Sequence, residues 1–359
     1  MSLPYLQPYL GLSNGLNTLH AAGGAGGVGG WKELGRTTLG ATSDTITVSS
    51  LANKRYYMVL IDLNNQTHDI THYHRVGAGS VDTGTNYACR YYNPVLGSDA
   101  TYTNIAGVYP FSGAGNVNQT GFNVAYWANY TSKEKLCINH QVQNGNPGAA
   151  NAPGRIENVG KWTNTSSPID TINSTNTGSG GWNSGCEMVV LGYDPADDDT
   201  NGYWQELASV ELGSANANLS SGTFTAKKYL WIQTYIKKTA LLRVDATFNN
   251  DTGSNYAIRS SEAGGADSTA TSQSSVLDYN QASGSPAFTN VFIINNQSTE
   301  KLGIHHDVLR QPAGAGNAPY RSERVFKWAN TSNQITEIDL NASTSTLAAG
   351  SIIKVWGAD

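Results

Sequence analysis

The segment DTITVSS at 44–50 alternates polar and apolar side chains, the two-residue period of a half-buried β-strand. RYYMVLIDL at 55–63 is almost continuously apolar, as a strand covered on both faces would be. GFNVAYWANY (121–130), KLCINHQV (135–142) and CEMVVLGYD (186–194) continue the series, with clusters of Gly, Asn, Pro and Ser between them. No convincing 3.6-residue periodicity extends beyond three turns. The pattern predicts an all-β chain.

The pattern also occurs twice. NAPGRIENVGKWTNTS at 151–166 returns as NAPYRSERVFKWANTS at 317–332, with eleven of sixteen positions identical. Other landmarks recur in the same order. Trp31–Leu34 matches Trp204–Leu207, NKRYYMVLI (53–61) matches AKKYLWIQT (226–234), and TGTNYACR (83–90) matches TGSNYAIR (252–259). KLCINHQV matches KLGIHHDV (301–308), and VVLGYD (189–194) matches KVWGAD (354–359). About eight short strands in each repeat of roughly 160 residues predict two homologous tandem β-sandwiches, jelly-roll-like rather than immunoglobulin-like. We divide the chain into a Gly-rich N-terminal extended arm (1–30), a first sandwich (31–195), a short acidic linker (196–203) and a second sandwich (204–359). Leu3, Tyr5, Leu6, Tyr9 and Leu10 of the arm are spaced to dock on a neighbouring surface.

Composition sharpens this picture. Charged residues make up only 14% of the chain, and Gly, Asn, Ser and Thr take their place, as turn-rich β-proteins require. A net charge of −5 argues against nucleic acid and anionic membranes as partners. Cys89, Cys137 and Cys186 all lie in the first repeat, opposite Ile258, Gly303 and roughly Ile352 in the second. An odd number replaced by apolar or small residues predicts buried thiols made in a reducing compartment. Residues 1–31 contain no Lys or Arg and no long apolar run, so no secretory signal is expected. The ten Asn-x-Ser/Thr sites are then a product of Asn and Thr richness rather than glycosylation sites.

The pattern W-x-E-L (Trp204–Leu207), AKKYL (Ala226–Leu230), FNNDTGSNYA-x-R (Phe248–Arg259) and KWANTS (Lys327–Ser332) resembles jelly-roll repeat domains in virion structural proteins of tailed phages, especially marine ones. The resemblance extends over most of both repeats and implies a fibre-like or capsid-associated role. Two jelly rolls behind an arm are also similar to major capsid proteins of tailless viruses, whose halves look less alike than these. The resemblance implies a protein made in a host cytoplasm and carried in the virion, with copies of itself and other virion proteins as partners. The expected function is self-assembly as a homo-oligomer in a capsid, capsid decoration or fibre. The alternative is a carbohydrate-binding pair that adheres to a host-surface glycan.

Candidate chemistry is sparse. The G-x-S-x-G at 11–15 and G-x-G-x-x-G at 24–29 lack the strand and helix contexts that give those motifs meaning. Nothing localises a pair of carboxylates for acid–base work, so no enzyme is expected and no cofactor is called for. His68, His72 and His74 share one strand face and are weak metal candidates; a polar sheet face or subunit contact is the alternative. Asp197, Asp199 and Asn201 match the front of a calcium loop, but Ala208 stands where the bidentate Glu belongs. His140 and His306 occupy equivalent places and are expected to be structural. Arg155, Glu157 and Lys161, repeated as Arg321, Glu323 and Lys327, share a strand face, with Trp162 and Trp328 on the other. Three readings stand: a structural ion network, a subunit interface, or a polar shelf beside an aromatic that holds a sugar.

Overall fold

RYYMVLIDL is apolar on both faces because both faces are covered. The computed structural model describes residues 30–64, 71–93, 98–112, 119–178, 180–197, 201–237, 242–281, 286–309 and 314–359. The first repeat forms β1 (Lys32–Thr38), β2 (Thr45–Val48), β3 (Tyr56–Leu63), β4 (Thr71–Ala78), β5 (Ser80–Val81), β6 (Tyr87–Asn93), β7 (Ser98–Ile105), β8 (Val108–Ser112), β9 (Gly121–Ala128), β10 (Lys135–Gln143), β11 (Gly154–Trp162), β12 (Thr171–Asn176) and β13 (Glu187–Tyr193). The second forms β14 (Gln205–Glu211), β15 (Asn218–Ser220), β16 (Tyr229–Ile236), β17 (Leu242–Phe248), β18 (Tyr256–Glu262), β19 (Ser268–Gln273), β20 (Val276–Gln281), β21 (Ala287–Ile294), β22 (Lys301–Leu309), β23 (Tyr320–Trp328), β24 (Ile338–Ala342) and β25 (Ile352–Ala358).

Each repeat is a sandwich of a large and a small antiparallel sheet. The large sheets run β1-β13-β3-β9-β10-β11-β6-β7 and β14-β25-β16-β21-β22-β23-β18-β19. The small sheets run β2-β12-β4-β5, with β8 paired to β4, and β15-β24-β17-β20. The chain alternates between sheets from β1 to β4 and again from β11 to β13, and β1 pairs with β13 while β2 pairs with β12. That wrapping is jelly-roll-like. Strands outnumber the expectation of about eight per repeat because several, such as SDATYTNI of β7 and STATSQ of β19, are polar edge strands without an apolar period.

The core falls into three clusters. One fills each sandwich, around Tyr57, Val59, Trp127 and Met188 in the first and Leu230, Ile293, Trp328 and Val355 in the second. The third lies between the repeats, where the outer faces of the two large sheets meet through Leu60, Phe122 and Val142 on one side and Tyr229, Leu302 and Ile304 on the other. The order of layers is therefore small, large, large, small.

The repeated sixteen-residue motif is a bracing device. Trp162 and Trp328 are buried, and their indole nitrogens donate to Asp82 and Asp251 at 2.7 Å. Those carboxylates also accept from Gly84 and Gly253 of the D-T-G-x-N turns. Lys135 and Lys301, both fully buried, lie 5.7 and 5.8 Å from the Trp rings and donate to surrounding carbonyls, including Asn164 and Asn330. Asn164 and Asn330 close the following turn by accepting from Ser166 and Ser332. Asn129, another Asn-x-Thr position, is buried and donates to Lys54 O and Tyr57 Oη.

The three cysteines are free and buried. Strand pairing sets Glu187 opposite Asp62 and Ile352 opposite Tyr235, so the counterpart of Cys186 is Ser351, one residue before the position read from sequence.

Candidate functional site

Along β10 the outer-face residues are Leu136, Ile138, His140 and Val142; along β22 they are Leu302, Ile304, His306 and Val308. Cross-strand pairing extends these rows to Val159 beside Ile138 and Phe122 beside Val142, and to Val325 beside Ile304 and Phe288 beside Val308. We call the Lys135 and Lys301 ends of these faces leading and the opposite ends trailing.

The leading end of the first repeat carries an open groove of about 860 Å³, whose lining includes Trp31, Tyr56, Tyr126, Leu136, Ile138 and Val159. Tyr130 packs edge-on against Tyr56 at its rim. The exposed surface of the groove is almost wholly apolar. At the trailing end of the second repeat, Tyr235, Phe288 and Val308 form one exposed cross-strand row. Seven of the eight large hydrophobics exposed among the described residues belong to these two regions; the ring of the eighth, Tyr102, stacks on Tyr91 and Tyr109 on the other face of the sheet.

A second, charged cleft of about 470 Å³ lies where the repeats meet. His140 lines it and packs against His306 of the other repeat, with ring centroids 4.3 Å apart. Arg155, buried in the joint, contacts Glu157 and Asp267 at 2.7 Å each and Glu323 at 3.5 Å; Arg321 contacts Glu323 at 2.5 Å. Burial pushes the Glu157 carboxyl up, but its hydrogen bond with His306 and the Arg155 charge prevail and hold it at about 2. Burial, then repulsion from Glu157, raises Glu323. Sequence alone does not reveal this carboxylate pair, because its members lie 166 positions apart in different repeats. Both are clamped by guanidinium groups, the chemistry of an ion network at a joint.

Other predicted positions find different roles. Leu3, Tyr5, Leu6, Tyr9 and Leu10, together with His68 and Asp199, lie outside the described residues. His72 and His74 point into the core rather than onto a polar face. Their ring centroids are 5.6 Å apart, and His72 stands edge-on to Trp182. Among the described residues no three His, Cys, Asp or Glu side chains are grouped to hold a metal. Asp197 is engaged by Lys54 at 2.5 Å and by the Asp194 amide, and Asn201 sits in the turn at φ 57°. Trp162 and Trp328 are 1% exposed, so neither offers a sugar platform; that element of the shelf reading is corrected. The repeated lysines part company. Lys161 pairs with Glu134 on the surface, while Lys327 is fully buried and donates to the carbonyls of Asn144 and Asn146 in the other repeat.

No family model matches the chain, and no curated protein matches it. Among solved structures, domains LG4-5 of the mouse laminin alpha1 chain align over 98% of this chain and 93% of that one, at 11% identity and TM-score 0.20. The NanC porin aligns over 75% of this chain and 98% of its own, at 10% identity and TM-score 0.12. Likenesses this slight carry no argument; the β-sandwich architecture rests on the sheets themselves. No helix among the described residues is long and apolar enough to cross a membrane.

Proposed function

We propose that the protein is a non-catalytic, self-assembling structural component of a virion. The observation that carries this reading is the distribution of exposed apolar side chains, which, Tyr102 aside, are gathered on two sheet faces instead of around a cleft with converging polar groups. A ligand or catalytic pocket combines apolar walls with a few polar groups converging on its interior; the exposed surface of this groove is almost wholly apolar, with Arg90, Thr101, Thr103 and Lys161 contributing little of it. Surfaces of this kind act by association. The placement in a virion comes from the resemblance of the repeats to phage structural domains, and the choice among capsid, decoration and fibre remains part of the proposal. A sugar-binding pair calls for exposed aromatics beside polar groups at equivalent places in both repeats. The exposed Tyr102, Tyr130, Tyr235 and Phe288 do not fall at such places.

Light scattering of the full-length protein, beside a variant that starts at Trp31, tests the reading together with a glycan array. Assembly beyond a monomer with a silent array is expected. A concentration-independent monomer that binds a glycan saturably overturns it.

A further inference from the structure

The two repeats use their large-sheet faces unequally. In the first, Phe122 and Val142 are fully buried against the second repeat, while Leu136, Ile138 and Val159 remain 57%, 50% and 50% exposed. In the second, the counterparts Leu302, Ile304 and Val325 are 0%, 2% and 1% exposed, whereas Phe288 and Val308 are 42% and 40% exposed. Trp31 is part-exposed; its counterpart Trp204 is fully buried in the joint. The joint is thus heterologous, trailing end of one repeat on leading end of the next. A joint of this kind leaves one surface of each type unused.

We propose that a second copy of this chain seats the trailing end of its second repeat, around Phe288 and Val308, in the Leu136–Ile138–Val159 groove of the first, so that the internal joint is reiterated from molecule to molecule. The inference rests on the assembly reading above and names its surfaces.

Polar anchors of the internal joint have counterparts on the free surfaces. Inside, Lys327 lies 3.6 Å from Glu300, Lys327 donates to Asn144 O and Asn146 O, and the Gly148 amide donates to Glu300 at 2.6 Å. On the open face the equivalent Lys161 and Glu134 form a half-exposed pair at 2.8 Å. Arg259 donates to Pro153 O at 2.7 Å in the joint, and its counterpart Arg90 is exposed. The docking loop is kept too. Gly148 and Gly314 take φ of 91° and 99°, and Asn151 and Asn317 donate to their carbonyls at 3.2 and 3.1 Å. Positive φ at both positions is the conformation glycine adopts freely. Residues 314–319 are all exposed.

The free plug is more polar than the buried one at three positions and lacks an ion pair at a fourth. Gln233, Asn290 and Lys354 stand at the positions of Leu60, Val124 and Val189, and Tyr235 replaces Asp62, which pairs with Lys228 at 3.0 Å inside the molecule. The contact between molecules is therefore weaker than the one within, and assembly depends on concentration. Whether the contacts close into a ring or extend as a filament depends on the rotation each one imposes.

Two variants of the full chain test this by complementation in sedimentation velocity: Leu136→Lys with Ile138→Lys closes the socket, and Phe288→Lys with Val308→Lys blunts the plug. The sites are exposed, so both variants should fold, which circular dichroism checks. Each variant alone is expected to lose association by on the order of a hundredfold. The mixture should form a one-to-one dimer and nothing larger, because one intact socket meets one intact plug. If the socket variant is monomeric while the plug variant assembles like the parent, the groove takes another occupant, the N-terminal arm or a symmetric copy of itself. The proposal then falls while the assembly reading stands. If the parent chain is a monomer at every concentration, both fall.

Discussion

At the residue scale, the first repeat differs from the second most sharply in its core histidines. Strand pairing places His72 and His74 at the positions of Val244 and Ala246. Burial pushes His74 down to about 4 and His72 well below its ordinary value. In the unfolded chain both titrate near 6.5. The unfolded state therefore binds more protons than the folded state between about pH 6.5 and pH 4, and stability falls as pH drops through that window. At about pH 4.5 the His74 contribution alone amounts to a loss of about 2 kcal/mol. His74→Ala installs the residue of the second repeat, and its urea stability should fall by about 2 kcal/mol less than the parent's between about pH 7 and pH 4.5. Parallel losses in the two proteins would mean that His74 is not the titrating group. Histidines on a strand with alternating pattern are visible in sequence, but the sign of their burial is not. HYHRV reads equally well with either set of side chains inward. β8 and β12 only flank the strand within its own sheet, and groups from outside that sheet, Trp182 and Asn123 among them, decide which face is covered.

At the element scale, β10 and β22 show what a local pattern cannot carry. KLCINHQVQ and KLGIHHDVL are close relatives, yet Leu136 and Ile138 are exposed where Leu302 and Ile304 are buried. The alternation, the repeat and the two-sheet architecture were legible because period two and turn residues are local properties. Which outer face is covered depends on a sheet far away in sequence, so neither groove nor joint could be read. Trp162 and Trp328 were legible as facing away from the Arg–Glu–Lys row, but their burial needed the Asp82 and Asp251 turns to be placed. The cross-strand pairs Cys137–Gly160 and Gly303–Phe326 were invisible for the same reason; Phe326 fills the space above Gly303 that a larger residue would need. Strands β11 and β23 turn this difference into a prediction. Lys327→Ala strands the buried Glu300 carboxylate and two carbonyls, at a cost of about 3 kcal/mol. Lys161→Ala, at the equivalent place, breaks a half-exposed pair and should cost the monomer no more than about 0.5 kcal/mol. Equal shifts of the urea midpoint would show that the joint does not rest on Lys327.

At the scale of the whole molecule, two sandwiches of this size would ordinarily unfold as separate units. Here their large sheets share a core that holds Phe122 against Tyr229, with ring centroids 6.1 Å apart. Charged groups lock the rim of that core: Lys228 reaches both Asp62 and Glu187 at 3.0 Å, and Tyr229 donates to Glu187 at 2.8 Å. Separating the repeats exposes this surface and leaves Asp62, Glu187 and Lys327 without their partners across the joint. One repeat therefore cannot unfold without most of the joint energy being lost to the other. Calorimetry should record one cooperative transition, with the van't Hoff enthalpy matching the measured one for the entire chain. Phe122→Asp buries a charge in that shared core while leaving the interior of each sandwich intact, and should divide the transition into two. A single transition in the variant, merely shifted to lower temperature, would place the coupling elsewhere, in the short connection between β13 and β14. The same experiment bears on assembly. If the internal joint couples its two repeats, a reiterated joint between molecules should raise the melting temperature with protein concentration, by mass action on the folded state. The socket variant, Leu136→Lys with Ile138→Lys, should remove that dependence while keeping the single transition.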